Sequence, residues 1–179
     1  MIKGNNVSEM VMLVDKNDQM TGTMEKSAVH RLGKLHRAIS VFIFNSNGHM
    51  LLQQRALHKY HSGGKWSNAC CSHPKPGESV MDAAKRRLRE EIGLTCDLHK
   101  GFEFTYSAVL DNNLVEHEYD HVFFGFSDER PSLNFDEVES YDYLPMEIIS
   151  DLITQEPEKF TEWFKICFDQ VSEHYYHTK

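Results

Sequence analysis

Cys71 and His73 stand two residues apart in the run Asn68-Ala-Cys-Cys-Ser-His-Pro-Lys-Pro-Gly-Glu-Ser79, which leads into a charged segment ending Arg89-Glu-Glu-Ile-Gly-Leu94. In an extended segment alternate side chains share a side, so Cys71 and His73 face together while Cys70 turns away. A thiol, an imidazole and carboxylates brought to one place suit proton transfer and metal binding. A single cysteine is most simply a small buried hydrophobe, and Cys70, Cys96 and Cys167 are taken as such. Cys71 differs through its companions.

Glu116 and Glu118 repeat the two-residue spacing in a β-favouring run. Their carboxylates share a face, an unfavourable arrangement unless a cation or proton intervenes, although the spacing alone suits a solvated face equally well. Helical winding of 80–92 places Glu91 on the stripe of Val80, Ala84 and Leu88, where a carboxylate needs a counter-charge or a metal. Arg87, four residues earlier, could be that counter-charge; a metal or diphosphate role is the favoured alternative. The chain has eleven histidines. His49, His58, His61, His99, His174 and His177 are assigned to surface or loops, and His117 and His121 have no role assigned. His30 and His36 fit a loop leading into a strand; with His73, Glu116 and Glu118 they offer a donor set suited to a five- or six-coordinate divalent metal. Lys26, Arg55 and Lys59, each alone a plain surface cation, could clamp phosphoryl oxygens. Tyr106 and Trp163 fit core packing, or the wall of an apolar pocket that would stabilise a cation.

Several elements must position these groups. Strands are expected at 9–14, in a hairpin of 39–44 and 49–54 around Asn45-Ser-Asn-Gly48, and in a second hairpin of 101–109 and 114–126 joined by Asp111-Asn-Asn113. Residues 59–65, with Gly63-Gly64, form an irregular loop. Ser79 caps a helix over 80–92, with Asp82 three residues on and Gly93 as its stop. Two more helices start at Pro145 and at Pro157, the latter carrying Phe160, Trp163, Phe164, Cys167 and Val171. No repeat, low-complexity tract or linker divides the 179 residues, so one domain is expected. A formal net charge of −8 argues against a general nucleic-acid or membrane-surface binder. No apolar leader or spanning segment is visible and four cysteines form no disulfide framework, which suggests a cytoplasmic protein with reduced thiols.

Taken together these residues resemble the type I isopentenyl diphosphate isomerases. The likeness runs through Gly22-Thr-Met-Glu-Lys26, His30 and His36, Gln54-Arg-Ala-Leu57, Trp66-Ser-Asn-Ala-Cys-Cys-Ser-His-Pro74, Gly77-Glu-Ser79, Tyr106, Val115-Glu-His-Glu118 and Trp163. It implies an α/β (α+β) Nudix-like fold, a mixed β-sheet sandwiched between helices, in one domain over 1–179 with an N-terminal strand extension (about 1–37) and C-terminal helices (about 145–175). The Nudix pattern G-x5-E-x7-R-E-U-x-E-E-x-G-U matches Glu78, Arg86, Leu88, Glu90, Glu91, Gly93 and Leu94. It fails at Ser72 for the first Gly and at Arg87 for a metal-binding Glu. A guanidinium in place of a carboxylate removes a ligand that a hydrolase needs, favouring a site that holds a diphosphate without cutting it.

By the same resemblance, His30, His36, His73, Glu116 and Glu118 would hold a metal, Mn²⁺, Mg²⁺ or Zn²⁺. Glu91 and the backbone carbonyl of Cys71 would hold Mg²⁺ with the substrate diphosphate. Lys26, Arg55 and Lys59, with Arg87 a weaker candidate, would bind that diphosphate; Cys71 and Glu118 would transfer protons, with Tyr106 beside the carboxylate and Trp163 facing the cation. The expected partner is a small molecule, with no nucleic acid or membrane, and the protein a monomer or homodimer. The rivals are a Nudix hydrolase of a nucleoside diphosphate derivative and a silent Nudix-like binding module.

Overall fold

A computed structural model describes residues 9–178. Residues 1–8, where the expected N-terminal extension starts, lie outside the described residues, as does Lys179. Strands β1 (Met10–Val14) and β2 (Met20–Glu25) precede helix α1 (Lys26–Leu32) and strands β3 (His36–Phe44), β4 (Met50–Arg55), β5 (Trp66–Asn68) and β6 (Cys70–Ser72). Helix α2 (Val80–Ile92), strands β7 (Leu98–Val109), β8 (Val115–Phe126) and β9 (Val138–Leu144), and helices α3 (Met146–Gln155) and α4 (Glu162–Thr178) follow.

The centre of the sheet is the pairing of β3 with β8, parallel over His36↔Glu118 to Phe44↔Phe126. On its other side β3 meets β6 antiparallel, with Ser40 opposite Cys71, while β7 covers the outer edge of β8. Alternate residues of β3 and β8 therefore supply two cores. Phe42, Phe44, Val122 and Phe124 pack under α4 through Trp163, Phe164, Cys167, Phe168 and Val171. Ile39, Val41, Ile43 and Phe123 pack on the opposite face against Ala83, Ala84, Leu88 and Ile92 of α2. Period two in the strands and the apolar stripe in each helix account for this sandwich.

The expected 80–92 helix is present. Ser79 Oγ accepts from the Asp82 backbone N–H at 3.1 Å, and Gly93 ends the helix at φ 68°. A side chain at Gly93 would meet the Ser132 carbonyl oxygen at 2.6 Å, so both conformation and space demand glycine. The 101–126 hairpin is also present, tipped by a 3₁₀ turn at Asp111–Asn113.

Three expectations need correction. The hairpin assigned to 39–54 pairs only at Phe44↔Met50; beyond it the strands part, β3 toward β6 and β8, β4 toward β5 and β9. The helix expected from Pro157 is a 3₁₀ turn, Pro157–Lys159, followed by an extended link and then α4 at Glu162. There the Thr161 N–H donates to the Trp66 carbonyl at 3.0 Å and Phe160 bridges to Trp66, so pairing with the edge of β5 overrides helix continuation. The loop expected to carry His30 is instead α1, and His36 opens β3. Among the described residues no helix is long and apolar enough to cross a membrane.

Candidate active site

β3 and β8 bring His36 and Glu118 side by side, and β6 delivers His73 just past its end. His73 Nε2 lies 2.9 Å from Glu118 Oε1 and 3.1 Å from His36 Nε2, and His36 Nε2 lies 3.4 Å from the same carboxylate oxygen. His36 Nδ1 stands 2.8 Å from the Lys34 carbonyl, which can only accept. That nitrogen therefore carries a hydrogen, and Nε2 faces the cluster. His30 reaches it from α1, fully buried, with Nε2 lacking any partner and Nδ1 3.0 Å from the Tyr60 hydroxyl.

Burial pushes His30 down to about 3 and His73 to about 4, so these rings are neutral ligands at ordinary pH. Donor atoms of His30, His36, His73 and Glu118 all lie within 4.8 Å of one another. A buried set of three imidazoles and a carboxylate, one nitrogen unpartnered, fits a divalent cation.

Glu116 falls outside that four-residue set. It groups with His30 and His61, again within 4.8 Å, so the five expected residues lie in two overlapping groups that share His30. Tyr106 links the two groups, its hydroxyl 2.6 Å from Glu118 Oε2 and 3.1 Å from Glu116 Oε2. Burial pushes Glu116 well above the carboxylate range, reinforced by the charge of Glu118. Burial acts on Glu118 in the same sense but is outweighed by its bonds to His36 and His73, which hold it well below that range. The Tyr106 hydroxyl can donate its one hydrogen to either carboxylate, with Glu118 the nearer acceptor.

Cys71 faces the cleft while Cys70 is buried beside α2, as the alternation of a strand requires. The Cys71 thiol donates to Asn68 Oδ1 at 2.9 Å, and that amide is oriented by donating to the carbonyls of Val41 at 3.1 Å and Cys70 at 2.9 Å. Behind the sulfur, Ser40 Oγ lies 3.3 Å away and donates to Asp120 Oδ2 at 2.6 Å. Burial, then the nearby Asp120, push the thiol far above its ordinary value, and burial with Glu118 pushes Asp120 up to about 8. Half-buried on the cleft wall, the Cys71 sulfur is thus held as a protonated thiol.

Lys26, Arg55, Lys59, Cys71, His73, Arg87, Glu91, Glu116, Glu118 and Trp163 line one cleft of about 600 Å³. His30, His36 and Tyr106 touch these residues from behind its wall. The cations arrive with partners: Lys26 Nζ is 3.0 Å from Glu9 Oε2, and Lys59 pairs with Glu137. Arg87 lies 2.7 Å from Glu91, 3.0 Å from Glu90 and 3.2 Å from Glu137. Arg87 is therefore the counter-charge of buried Glu91, and Gln53 donates to the second oxygen of that carboxylate at 3.1 Å. Arg86 pairs in turn with Glu78 at 2.7 Å, tying two residues of the Nudix pattern together. Arg55 has a buried Nε without a partner and places its guanidinium 5.2 Å from the centre of the Trp163 ring, whose N–H donates to Ser67 Oγ at 2.9 Å.

Sequence reasoning passed over six participants: His61, Tyr60, Ser40, Asn68, Asp120 and Glu137. Asp120 was within reach, since it continues the alternation Glu116-Glu118. His61, assigned to the surface, is 6% exposed. Nothing in its glycine-rich surroundings signals that, because its burial comes from Trp163 and His30 across the fold. Of the two histidines without a role, His121 pairs with Asp18 at 3.0 Å and His117 Nδ1 stands 3.1 Å from the Gly33 carbonyl oxygen.

Comparison with known proteins identifies the family and the fold. The NUDIX domain profile matches residues 34–164. An isopentenyl-diphosphate Delta-isomerase of Pectobacterium atrosepticum is 53% identical over 92% of this chain and 92% of its own length. An isopentenyl-diphosphate Delta-isomerase 2 of Aromatoleum aromaticum is 47% identical over 92% of this chain and 87% of its own. A crystal structure from Deinococcus radiodurans superposes with a TM-score of 0.75 at 17% identity over 90% of this chain and 98% of that one, a likeness of fold alone. With helices packed on both faces of a mixed sheet and relatives of this closeness, the chain belongs to the isopentenyl-diphosphate Delta-isomerase family of NUDIX proteins.

Proposed function

We propose that this protein interconverts isopentenyl and dimethylallyl diphosphate by protonating the terminal carbon of the alkene and removing a proton from the neighbouring methylene. The observation that carries this reading is a pair of proton-transfer groups in opposite states on one cleft: a thiol kept protonated at Cys71 and a carboxylate kept ionised at Glu118. The reaction needs one acid and one base, and no net proton is consumed. An unactivated alkene is a very weak base, so burial of Glu118 and partial burial of Cys71 support the chemistry by limiting water.

Tyr106 holds the free oxygen of Glu118 in place, and the Trp163 ring faces the developing cation, whose charge an aromatic face stabilises. Lys26, Arg55 and Lys59 would bind the diphosphate, with Arg87 contributing through its edge. Their present partners, Glu9 and Glu137, are carboxylates that phosphoryl oxygens would replace. A metal held by His30, His36, His73, Glu116 and Glu118 would be Mn²⁺, Mg²⁺ or Zn²⁺, and Mg²⁺ would accompany the diphosphate at Glu91 and the Cys71 carbonyl. When bound, such ions supply positive charge that neutralises phosphate and keeps Glu118 ionised.

The hydrolase reading is disfavoured by Arg87, which occupies a position where a hydrolase needs a carboxylate and pairs with the adjacent Glu90 and Glu91. Incubation with isopentenyl diphosphate and Mg²⁺ in D₂O, followed by NMR, tests the proposal. Deuterated dimethylallyl diphosphate should appear without phosphate release, and Cys71→Ala or Glu118→Gln should lower turnover by at least about 10²- to 10⁴-fold. Phosphate release from nucleotides at a comparable rate would overturn it.

A further inference from the structure

We propose that Asn68, Ser67 and Thr161 are positioning residues for the reaction: one buried hydrogen-bonded chain through them sets the Cys71 thiol and the Trp163 ring relative to each other. This rests on the isomerase reading and deepens it, since that reading gives none of the three a part. Their side chains are buried behind the cleft wall that Cys71 and Trp163 line. Asn68 ends β5, where the chain leaves β4 to pair with β3, and both hydrogens of its amide nitrogen are spent on the carbonyls of Val41 at 3.1 Å and Cys70 at 2.9 Å. That fixes which way the amide points. Its Oδ1 then takes the Cys71 thiol hydrogen at 2.9 Å and the Ser67 hydroxyl hydrogen at 3.0 Å.

The other end of the chain is equally determined. An indole N–H can only donate, and Ser67, its own hydrogen given to Asn68, accepts from Trp163 Nε1 at 2.9 Å and from Thr161 Oγ1 at 3.0 Å. Thr161 is anchored in turn by its backbone N–H, which donates to the Trp66 carbonyl at 3.0 Å. Each hydrogen in the run from Trp163 through Ser67 and Asn68 to Cys71 has one place to go, and burial makes a broken link costly. Proton transfer to carbon needs the sulfur within about 3–3.5 Å of the alkene terminus, and a misplacement of about 1 Å can cost roughly 10²-fold. Asn68 restrains the sulfur, while rotation about Cβ–Sγ turns the hydrogen to the alkene. Positive charge then develops on the adjoining carbon, so the ring that stabilises it must stand in register with the acid.

Turnover of isopentenyl diphosphate, together with the indole N–H signal of Trp163 in ¹H–¹⁵N NMR, identified by its loss in Trp163→Phe, tests the chain. Ser67→Ala should lower kcat at least about fivefold, the scale of a displaced aromatic contact to a cation, with KM within about twofold because the diphosphate cations are untouched. Ser67→Thr restores the hydroxyl and should recover kcat. Asn68→Ala should lower kcat roughly 10²-fold and shift the Trp163 signal through Ser67. If Asn68→Ala does not fold, the Ser67 pair decides. Unchanged kcat in folded Ser67→Ala would overturn the proposal, as would a Ser67→Thr no more active than Ser67→Ala, or a rise in KM at unchanged kcat. Failure of the wild-type protein to turn over strikes the isomerase reading; variants as active as a working wild type strike this inference alone.

Discussion

Arg87 Nη2 sits 2.7 Å from Glu91 Oε1, and Arg87 Nε lies 3.1 Å from the same oxygen, so one guanidinium edge closes on a carboxylate that is 4% exposed. Burial works against the arginine charge, yet Glu91 and its neighbours raise its pKa above the ordinary guanidinium value. Arg87→Ala should leave Glu91 without its counter-charge. A stability loss of about 2 kcal/mol is expected, below the roughly 3–5 kcal/mol of a fully buried pair because one edge of Arg87 meets solvent. Urea unfolding measures it, and an unchanged midpoint would contradict the assignment.

Glu137 pairs with two of the cations proposed to hold the diphosphate, Lys59 and Arg87. Glu137→Gln removes that charge while keeping the side chain's shape. Inorganic diphosphate should then bind roughly twofold to fivefold more tightly, the range expected of a partly exposed ion pair. Weaker binding in calorimetry would mean that Glu137 instead positions the cations.

A thiol held far above its ordinary pKa is a poor nucleophile near neutrality. In the folded protein at pH 7.5, Cys71 should be alkylated by iodoacetamide at least about tenfold more slowly than in urea. Peptide mapping identifies the site, and rapid labelling of Cys71 in the native state would show that the thiolate is accessible.

Stability of the metal-free protein should peak near pH 6.5. His30 and His61 are pushed down to about 3 and His73 to about 4 from an ordinary 6.5, so across that interval the unfolded chain binds more protons and stability falls as pH drops. Glu116, raised well above its ordinary value, and Asp120, raised to about 8, act in the opposite sense: their contribution fades as pH rises through their folded values. Three imidazoles outweigh two carboxyls below pH 6.5, and only the carboxyls remain above it. Urea midpoints in EDTA from pH 5 to 8.5 should therefore pass through a maximum; a steady rise to pH 8.5 would refute this balance.

Much of this architecture was legible in the chain itself because its signals are local. Ser79, Asp82 and Gly93 bound α2 by hydrogen bonds and φ angles that neighbouring residues determine. The spacings Cys71-His73 and Glu116-Glu118 placed each pair toward the site through strand alternation alone. What escaped depends on distant contacts. His61 is buried by Trp163, the start of α4 is set by Trp66, and β3 leaves β4 because β8 offers nine paired residues. The family likeness supplied the candidate metal ligands, but not the closeness of His61 to Glu116 and His30.

The parallel alignment of His36 with Glu118 has a final consequence. Two ribbons far apart along the polypeptide must meet in one particular alignment, and an offset of a single residue would turn Glu118 to the reverse side of the sheet. Captured metal would then certify that this slow, long-distance match has been completed correctly, so ion uptake during refolding should trail the formation of local structure and mark the last molecules to mature.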